Sequence, residues 1–435
     1  MYIVKRSSHN PILSPLPDTP WEAAGAFNGC PIKDVKNKEI HLLYRALSRP
    51  DPLAAPGGLS IVGKATSHDG GDTFTNRTPF ITPTEPWEKY GCEDPRVTFF
   101  EGQYIVFYTA LGGFPFGPGN IKVACALSKD LKTVDQKHLV TPFNAKAMTL
   151  FPERIGGKIT LLFSAHTDEP PSHMALVQCD KLEDLWNLAF WKKWHEGIAS
   201  HSINLLRSGA DHAEIGAPPI KTKDGWLLIY SYFQNYYEGE ERRVTSIEAV
   251  LLDLENPQKI LGRTAYPLMT PEELYERFGV VANVVFPSGS VLNKNTLELY
   301  YGGADTVCAK ALINLPDLLA AMRPEGTKPL VVRAKENPIL SSTENAWEKR
   351  AVFNPGAIEL GGTIHLLYRA MGEDNTSVLG YAATKNGIKI TERDAEAAYI
   401  PREDVELKKG GPSENSGCED PRITKIDETL YVIYT

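Results

Sequence analysis

Internal duplication constrains this chain more than any other feature of its sequence. Asn10-Pro-Ile-Leu13 recurs as Asn337-Pro-Ile-Leu340, Trp21-Glu22 as Trp347-Glu348, and Phe27-Asn28 as Phe353-Asn354. Ile40-His-Leu-Leu-Tyr-Arg-Ala46 returns unchanged as Ile364 to Ala370. Gly91-Cys-Glu-Asp-Pro-Arg96 returns as Gly417 to Arg422, and Tyr108-Thr109 as Tyr434-Thr435. Matches in one order, at a nearly constant offset, make residues 10–109 and 337–435 two copies of one module. Residues 110–322 occur once. Modules that repeat must bury against neighbours the faces they cannot bury alone.

The local signal is short alternating runs. Ile40–Arg45, Tyr104–Thr109, Lys158–Phe163, Trp226–Tyr230, Glu248–Asp253, Thr296–Tyr301 and Ile364–Arg369 read as strands of five or six residues. Asp69-Gly70 and Asn386-Gly387 stand between strands and supply the positive φ of a tight hairpin. Short helices are expected around Pro271–Phe278, with Thr270 as N-cap, and around Leu315–Met322. Many short strands with few helices predict an all-β sandwich or propeller, and periodicity does not separate the two.

A formal net charge of −8 leaves no basic footprint for nucleic acid or an anionic membrane. No stretch approaches the roughly 18 apolar residues of a spanning helix. Met1-Tyr-Ile-Val-Lys-Arg6 lacks the basic-then-apolar pattern of a secretory leader. Six cysteines are scattered without CxxC spacing, which argues against zinc or a disulfide framework and fits a reducing cytoplasm. The expectation is a soluble cytoplasmic protein. His166, His201 and His212 have no metal-ligand spacing and read as surface or loop residues.

Three groups of residues can carry chemistry. In Glu93-Asp94-Pro95-Arg96, Pro95 pushes Asp94 out of helical geometry, so its side chain projects from a strand end or loop. The acid and the arginine either grip a substrate or brace a loop as a buried pair. Glu214 precedes Ile-Gly-Ala-Pro-Pro-Ile220, and Glu248 opens the apolar run Ala-Val-Leu-Leu252. An acid entering so apolar a strand faces a wet cavity, a partner or solvent. Paired carboxylates are also what glycoside cleavage needs, one to protonate the leaving oxygen and one to activate water. In Tyr300-Tyr-Gly-Gly-Ala-Asp305, small residues let backbone approach a ligand and Asp305 can accept from sugar hydroxyls, or the segment merely ends a strand. Trp87, Trp226, Tyr232, Tyr236 and Tyr237 offer stacking faces or core.

Taken in order, Leu42-Leu-Tyr-Arg-Ala46, Gly91-Cys-Glu-Asp-Pro-Arg96, Leu150-Phe-Pro-Glu153, Ile215-Gly-Ala-Pro-Pro-Ile220, Val284-Val-Phe-Pro-Ser-Gly289 and Tyr300-Tyr-Gly-Gly-Ala-Asp305 resemble glycoside hydrolase family 130. That family comprises β-mannoside phosphorylases and mannosidases on a five-bladed β-propeller. The resemblance runs from Asn10 to about Met322 and restarts at Asn337. It implies a propeller domain over residues 1–330 and, over 331–435, a partial repeat of its opening blades. It makes Asp94 the general acid, relayed through a sugar hydroxyl or given directly, and puts Asn28, Arg45, Arg96 and Asp305 around the sugar. It implies a mannose-containing oligosaccharide as partner and no cofactor.

Departures from the family's phosphorylases are equally specific. Glu214 stands where they have Lys, Ser231 where they have His, Ser164 where they have Arg, and Glu248 where they have a small residue. Fewer cations and two added carboxylates repel phosphate and suit holding a water. The expectation is therefore inverting hydrolysis of β-1,2-mannosides, with Glu214 and Glu248 activating water; phosphorolysis using Lys146, Arg242 or Arg243 is the alternative, and non-catalytic glycan binding a further one. The first copy is expected to close the ring, because it follows the family order without permutation. Unpaired strand edges in the second copy predict a tendency to associate with another copy.

Overall fold

The alternating runs fold as antiparallel strands gathered into hairpin-linked groups, so the protein is predominantly β. The computed structural model describes residues 2–34, 39–52, 57–239, 242–323, 333–407 and 416–435. It divides into two units, Met1–Lys328 and Pro329–Thr435.

The first unit holds five groups of strands. The first contains Gly25–Asp34, Glu39–Leu47, Ser60–Ser67 and Thr75–Ile81. The second contains Gly91–Phe100, Gln103–Leu111, Ile121–Ser128 and Gln136–Leu139. Ala145–Leu150, Ile159–Ala165 and His173–Cys179 form the third. The fourth pairs His212–Ile215 with Trp226–Gln234, then Val244–Leu252 and Ile260–Arg263. The fifth runs Val285–Asn293, Thr296–Gly303 and Val307–Asn314, and its edge is completed by Val4–Arg6 from the other end of the unit.

Five apolar cores lie between these groups, each shared by two successive ones. Leu43, Val62 and Ile81 meet Val97, Val106 and Tyr108 between the first and second. Further cores join the second to the third, the third to the fourth, and the fourth to the fifth. In the fifth core, Leu13, Leu42 and Tyr44 pack on Val291, Tyr300 and Cys308, which returns the series to its first member. A buried Leu or Tyr in such a seam contributes about 2 kcal/mol.

The first, second and fifth groups, and the second unit's copy of the first, are also tied by a buried carboxylate that accepts from a tyrosine of the second strand. Tyr44 donates to Glu22 at 2.7 Å and Tyr108 to Glu88 at 2.6 Å. Tyr301 donates to Glu276 at 2.8 Å and, in the second unit, Tyr368 to Glu348 at 3.0 Å. A cation completes each: Arg77, Lys137, Arg6 and Arg393. Four of the carboxylates, at Glu22, Glu88, Glu276 and Glu348, have 0 % exposure, which is tolerable only because they are paired.

Helices differ in part from expectation. Leu315–Met322 forms as read, capped by the Asn314 side chain accepting from Asp317 N. The other starts later, at Leu274–Arg277, because the Glu273–Glu276 capping box outcompetes Thr270. An additional helix, Leu188–His195, seats Trp191 and Trp194 in the core of the third group.

In the second unit, Ala351–Leu360, Thr363–Met371, Thr376–Thr384 and Ile390–Arg393 repeat the first group, and Arg422–Ile426 with Thr429–Ile433 repeats the hairpin that opens the second. Ile339, Leu340, Leu366 and Tyr368 match residues that fill the fifth core of the first unit, and here they line an open cavity. Ile426, Leu430 and Ile433 are exposed.

Candidate active site

A shared irregularity builds the site. In the first strand of four groups the ladder register slips at matching points: Phe27/Cys30, Glu93/Arg96, Lys146/Thr149 and Pro287/Gly289. Such bulges turn a side chain away from the pleat. At three of them the turned residue is non-glycine with φ near +50°: Asn28, Asp94 and Ala147. Asp305 reaches the same region at the end of its strand, with φ 49°. Asn and Asp tolerate this conformation better than other side chains do.

Asn28 Nδ2 donates to Asp94 Oδ1 at 2.8 Å. Arg45 holds Glu93 in direct contact, lies 3.8 Å from Asp94 and donates through Nε to Ser60 Oγ at 3.0 Å. Asn28 Oδ1 is buried with no protein donor, an acceptor left for a hydroxyl. On the opposite wall, Lys146 Nζ donates to Asp168 Oδ1 at 2.9 Å, and Asn144 Nδ2 donates to Asp168 Oδ2 at the same distance. His212 Nε2 lies 3.3 Å from Glu214 Oε1. Burial alone would raise the Glu214 carboxyl, yet His212 and Lys146 hold it below the ordinary value. Burial pushes the Asp305 carboxyl up to about 7 against the pull of Arg45, with repulsion from Asp94, Glu93 and Glu214 adding to it.

Asn28, Arg45, Asp94, Glu214 and Asp305 thus share one electrostatic neighbourhood. Glu248 and Arg96 do not behave as expected. Glu214 pairs with Ser231, which pairs with Ile247, whereas Glu248 pairs with Tyr230, which pairs with Ile215. Partners across a ladder share a face and chain neighbours alternate, so Glu214 and Glu248 project from opposite faces of the fourth group. Glu248 does not open its strand either; the strand begins at Val244 and Glu248 lies inside it, 1 % exposed. Its carboxylate takes Arg207 at 2.6 Å and Tyr230 at 3.3 Å, a tie like those of the first, second and fifth groups. Glu248→Gln is expected to cost roughly 3 kcal/mol of stability and leave kcat/KM unchanged; thermal unfolding and an initial-rate assay check it together.

Arg96 is 1 % exposed and donates to Gly216 O at 2.6 Å, to Asp94 O and Pro95 O at 3.1 Å each, and to Pro287 O at 3.5 Å. Its guanidinium is consumed by carbonyls of three groups, which makes it a central brace rather than a sugar ligand. His212 is likewise buried, between Ser172 and Glu214, rather than a surface histidine. Asp168 and His212 belong to the site and carry no motif signal, because only the third and fourth groups' packing brings them to Lys146 and Glu214. The arrangement offers a carboxyl acid, hydroxyl acceptors and a wall of mixed charge, which suits a polyhydroxylated ligand. Among the described residues no cluster of three or more His, Cys, Asp or Glu could hold a metal ion, and no helix is long and apolar enough to cross a membrane.

The family model described as beta-1,4-mannooligosaccharide phosphorylase matches residues 35–324 and again 320–435. The chain belongs to glycoside hydrolase family 130. A 1,2-beta-oligomannan phosphorylase of Thermoanaerobacter sp. (strain X514) is 33% identical over 318 residues, 73% of this chain and 99% of that protein. A Beta-1,2-mannobiose phosphorylase of the same organism is 32% identical over 319 residues, covering 72% of this chain and 98% of its own. The solved Beta-1,2-Mannobiose phosphorylase from Listeria innocua, in complex with beta-1,2-mannobiose, superposes with TM-score 0.60 at 26% identity, over 73% of this chain and 99% of that one. Both of the curated relatives named above are phosphorylases of β-1,2-mannosides by name. The second unit repeats part of the site: Asn354 donates to Asp420 at 2.8 Å and Arg369 meets Glu419 at 2.5 Å. Arg422, which matches the buried Arg96, is exposed there.

Proposed function

We propose that the chain is a β-1,2-mannoside phosphorylase whose five strand groups are the blades of a closed propeller. The cyclic series of five shared cores and the Val4–Arg6 strand on the last group support the ring. Phosphorolysis replaces hydrolysis as the leading reading. The observation that carries it is the face taken by Glu248, because hydrolysis was argued from two added glutamates and one of them points away. Glu214 remains, but it is compensated by Lys146 and His212 rather than free to deprotonate water.

In this reading Asp94 gives its proton toward the glycosidic oxygen, phosphate attacks the anomeric carbon from the other face, and the glycosidic bond breaks. The products are mannose 1-phosphate and a mannoside shortened by one unit. Lys146 and Arg243 are the cations near Glu214 and Tyr236, and phosphate needs several such charge-assisted donors. Arg242 pairs instead with Glu238 at the surface.

Hydrolysis stays as a second reading on one observation: Glu214 and Asp168 line the wall where an anion would sit. Mannose release from β-1,2-mannobiose with and without phosphate tests the choice. Mannose 1-phosphate formed only with phosphate is expected; free mannose at equal rate without phosphate would overturn phosphorolysis.

A further inference from the structure

The wall that carries Lys146 also holds two carboxylates, Asp168 and Glu214, and their oxygens are used differently. Asp168 is saturated. Its Oδ1 takes Lys146 Nζ at 2.9 Å, and its Oδ2 takes Asn144 Nδ2 at 2.9 Å and Thr167 Oγ1 at 3.0 Å. Glu214 is half used. Its Oε1 lies 3.3 Å from His212 Nε2, which carries a hydrogen toward it because an ionised carboxylate only accepts. Among the described residues no hydrogen bond reaches Glu214 Oε2, and the side chain keeps 18 % exposure, so a ligand can reach that oxygen. Against burial, His212 and Lys146 hold this carboxyl below its ordinary value, which keeps it an acceptor at neutral pH.

The other charged groups around Glu214 offer its free oxygen no hydrogen. Arg96 is spent on backbone carbonyls, and Arg243 lies over the Tyr236 ring, 4.3 Å from its centre. Asp305 adds a like charge, and Tyr236 stands alongside. Lys146 has two ammonium hydrogens beyond the one given to Asp168. A ligand that meets both Lys146 and Glu214 therefore faces opposite demands: a lone pair for the ammonium and a hydrogen for Oε2. Hydrogen phosphate meets both, and so does water. Sulfate has nearly the same shape but no hydrogen, and would set a bare oxygen against a carboxylate.

We propose that Glu214 is a specificity-determining residue that accepts the O–H of a protonated oxyanion, so that this site takes phosphate or arsenate and refuses sulfate. Phosphate as the reacting partner rests on the proposed function; the demand for a hydrogen does not. The hydrogen stays on the phosphoryl group through the attack, so the proton for the leaving oxygen still comes from Asp94. A carboxylate where the family's phosphorylases have Lys thus gives up attraction for anions in general and gains a choice among them.

The test is phosphorus NMR of inorganic phosphate with the free, full-length protein at neutral pH and constant ionic strength. Binding broadens the phosphate line, and arsenate or sulfate is added to displace it. Arsenate is expected to sharpen the line in the parent, and sulfate to need a concentration on the order of 10³-fold higher, since a site built for an O–H rejects the analogue without one. In Glu214→Gln the amide can donate to a bare oxygen, and sulfate is expected to come within about tenfold of arsenate. Displacement by arsenate in that variant shows that it is folded. Sulfate that displaces phosphate from the parent as readily as arsenate does would overturn the inference. So would a parent that binds no phosphate, or a Glu214→Gln variant that binds arsenate and still refuses sulfate. Mannose 1-phosphate formed by a protein that sulfate inhibits at phosphate-like concentrations would sink the inference and leave phosphorolysis standing. Selective binding of phosphate over sulfate by a protein that releases free mannose without phosphate would do the reverse.

Discussion

Asp94→Asn is expected to lower mannobiose turnover by about 10³-fold, the range for loss of a positioned general acid, with the fold intact. Asn fits the site unusually well. The position has φ 51°, a region Asn accepts, and the amide keeps the contact with Asn28. The matched change Asp420→Asn in the second unit is expected to leave turnover untouched. Asp420 has Asn354 and Arg369 beside it, but its unit has no counterpart of Lys146, Glu214 or Asp305. Initial rates on the two variants separate the copies. Loss of activity only in Asp420→Asn would move the catalytic role to the second copy.

Arg96→Met is expected to act on folding instead. It strips donors from carbonyls of Asp94, Pro95, Gly216 and Pro287, all near the centre of the first unit. A buried polar group left unsatisfied costs about 1–3 kcal/mol, so the sum is on the order of 5 kcal/mol, comparable with the whole stability of many domains. The measurement is thermal or urea unfolding of the full chain. A variant that unfolds like the parent but shows a raised KM would restore Arg96 to the sugar, where the family resemblance had put it. The second copy shows what the brace requires: among the described residues Arg422 donates to the carbonyls of its own loop, Asp420 and Pro421, and it is exposed.

Much of this protein could be read from its residues. The recurrence of Leu-Leu-Tyr-Arg and Glu-Asp-Pro-Arg exposed the repeat, and the alternation of Ile40–Arg45 or Trp226–Tyr230 marked strands that lie within the observed ones. Motif order identified Asn28, Arg45, Asp94, Glu214 and Asp305, which the fold gathers. Glu248 was misread because its strand begins four residues earlier than its apolar run suggests, which reverses neither its identity nor its neighbours but removes it from a strand mouth. The register with Tyr230 then sends it to the face opposite Glu214. Leu188–His195 was missed because its Trp191 and Trp194 serve a core supplied by strands far away in the chain.

What the sequence alone determined is the module, its duplication, the strands and the acids of the candidate site, since each is a local pattern carried by neighbouring residues. What only the tertiary structure decided is which of those acids meet. Side-chain parity across Tyr230 and Ser231, the bulges that turn Asn28 and Asp94 inward, and the carbonyls that claim Arg96 all arise from pairing between distant segments. Charge behaves the same way: which carboxylates crowd Arg45 is set only once strands distant in the chain have come together around it.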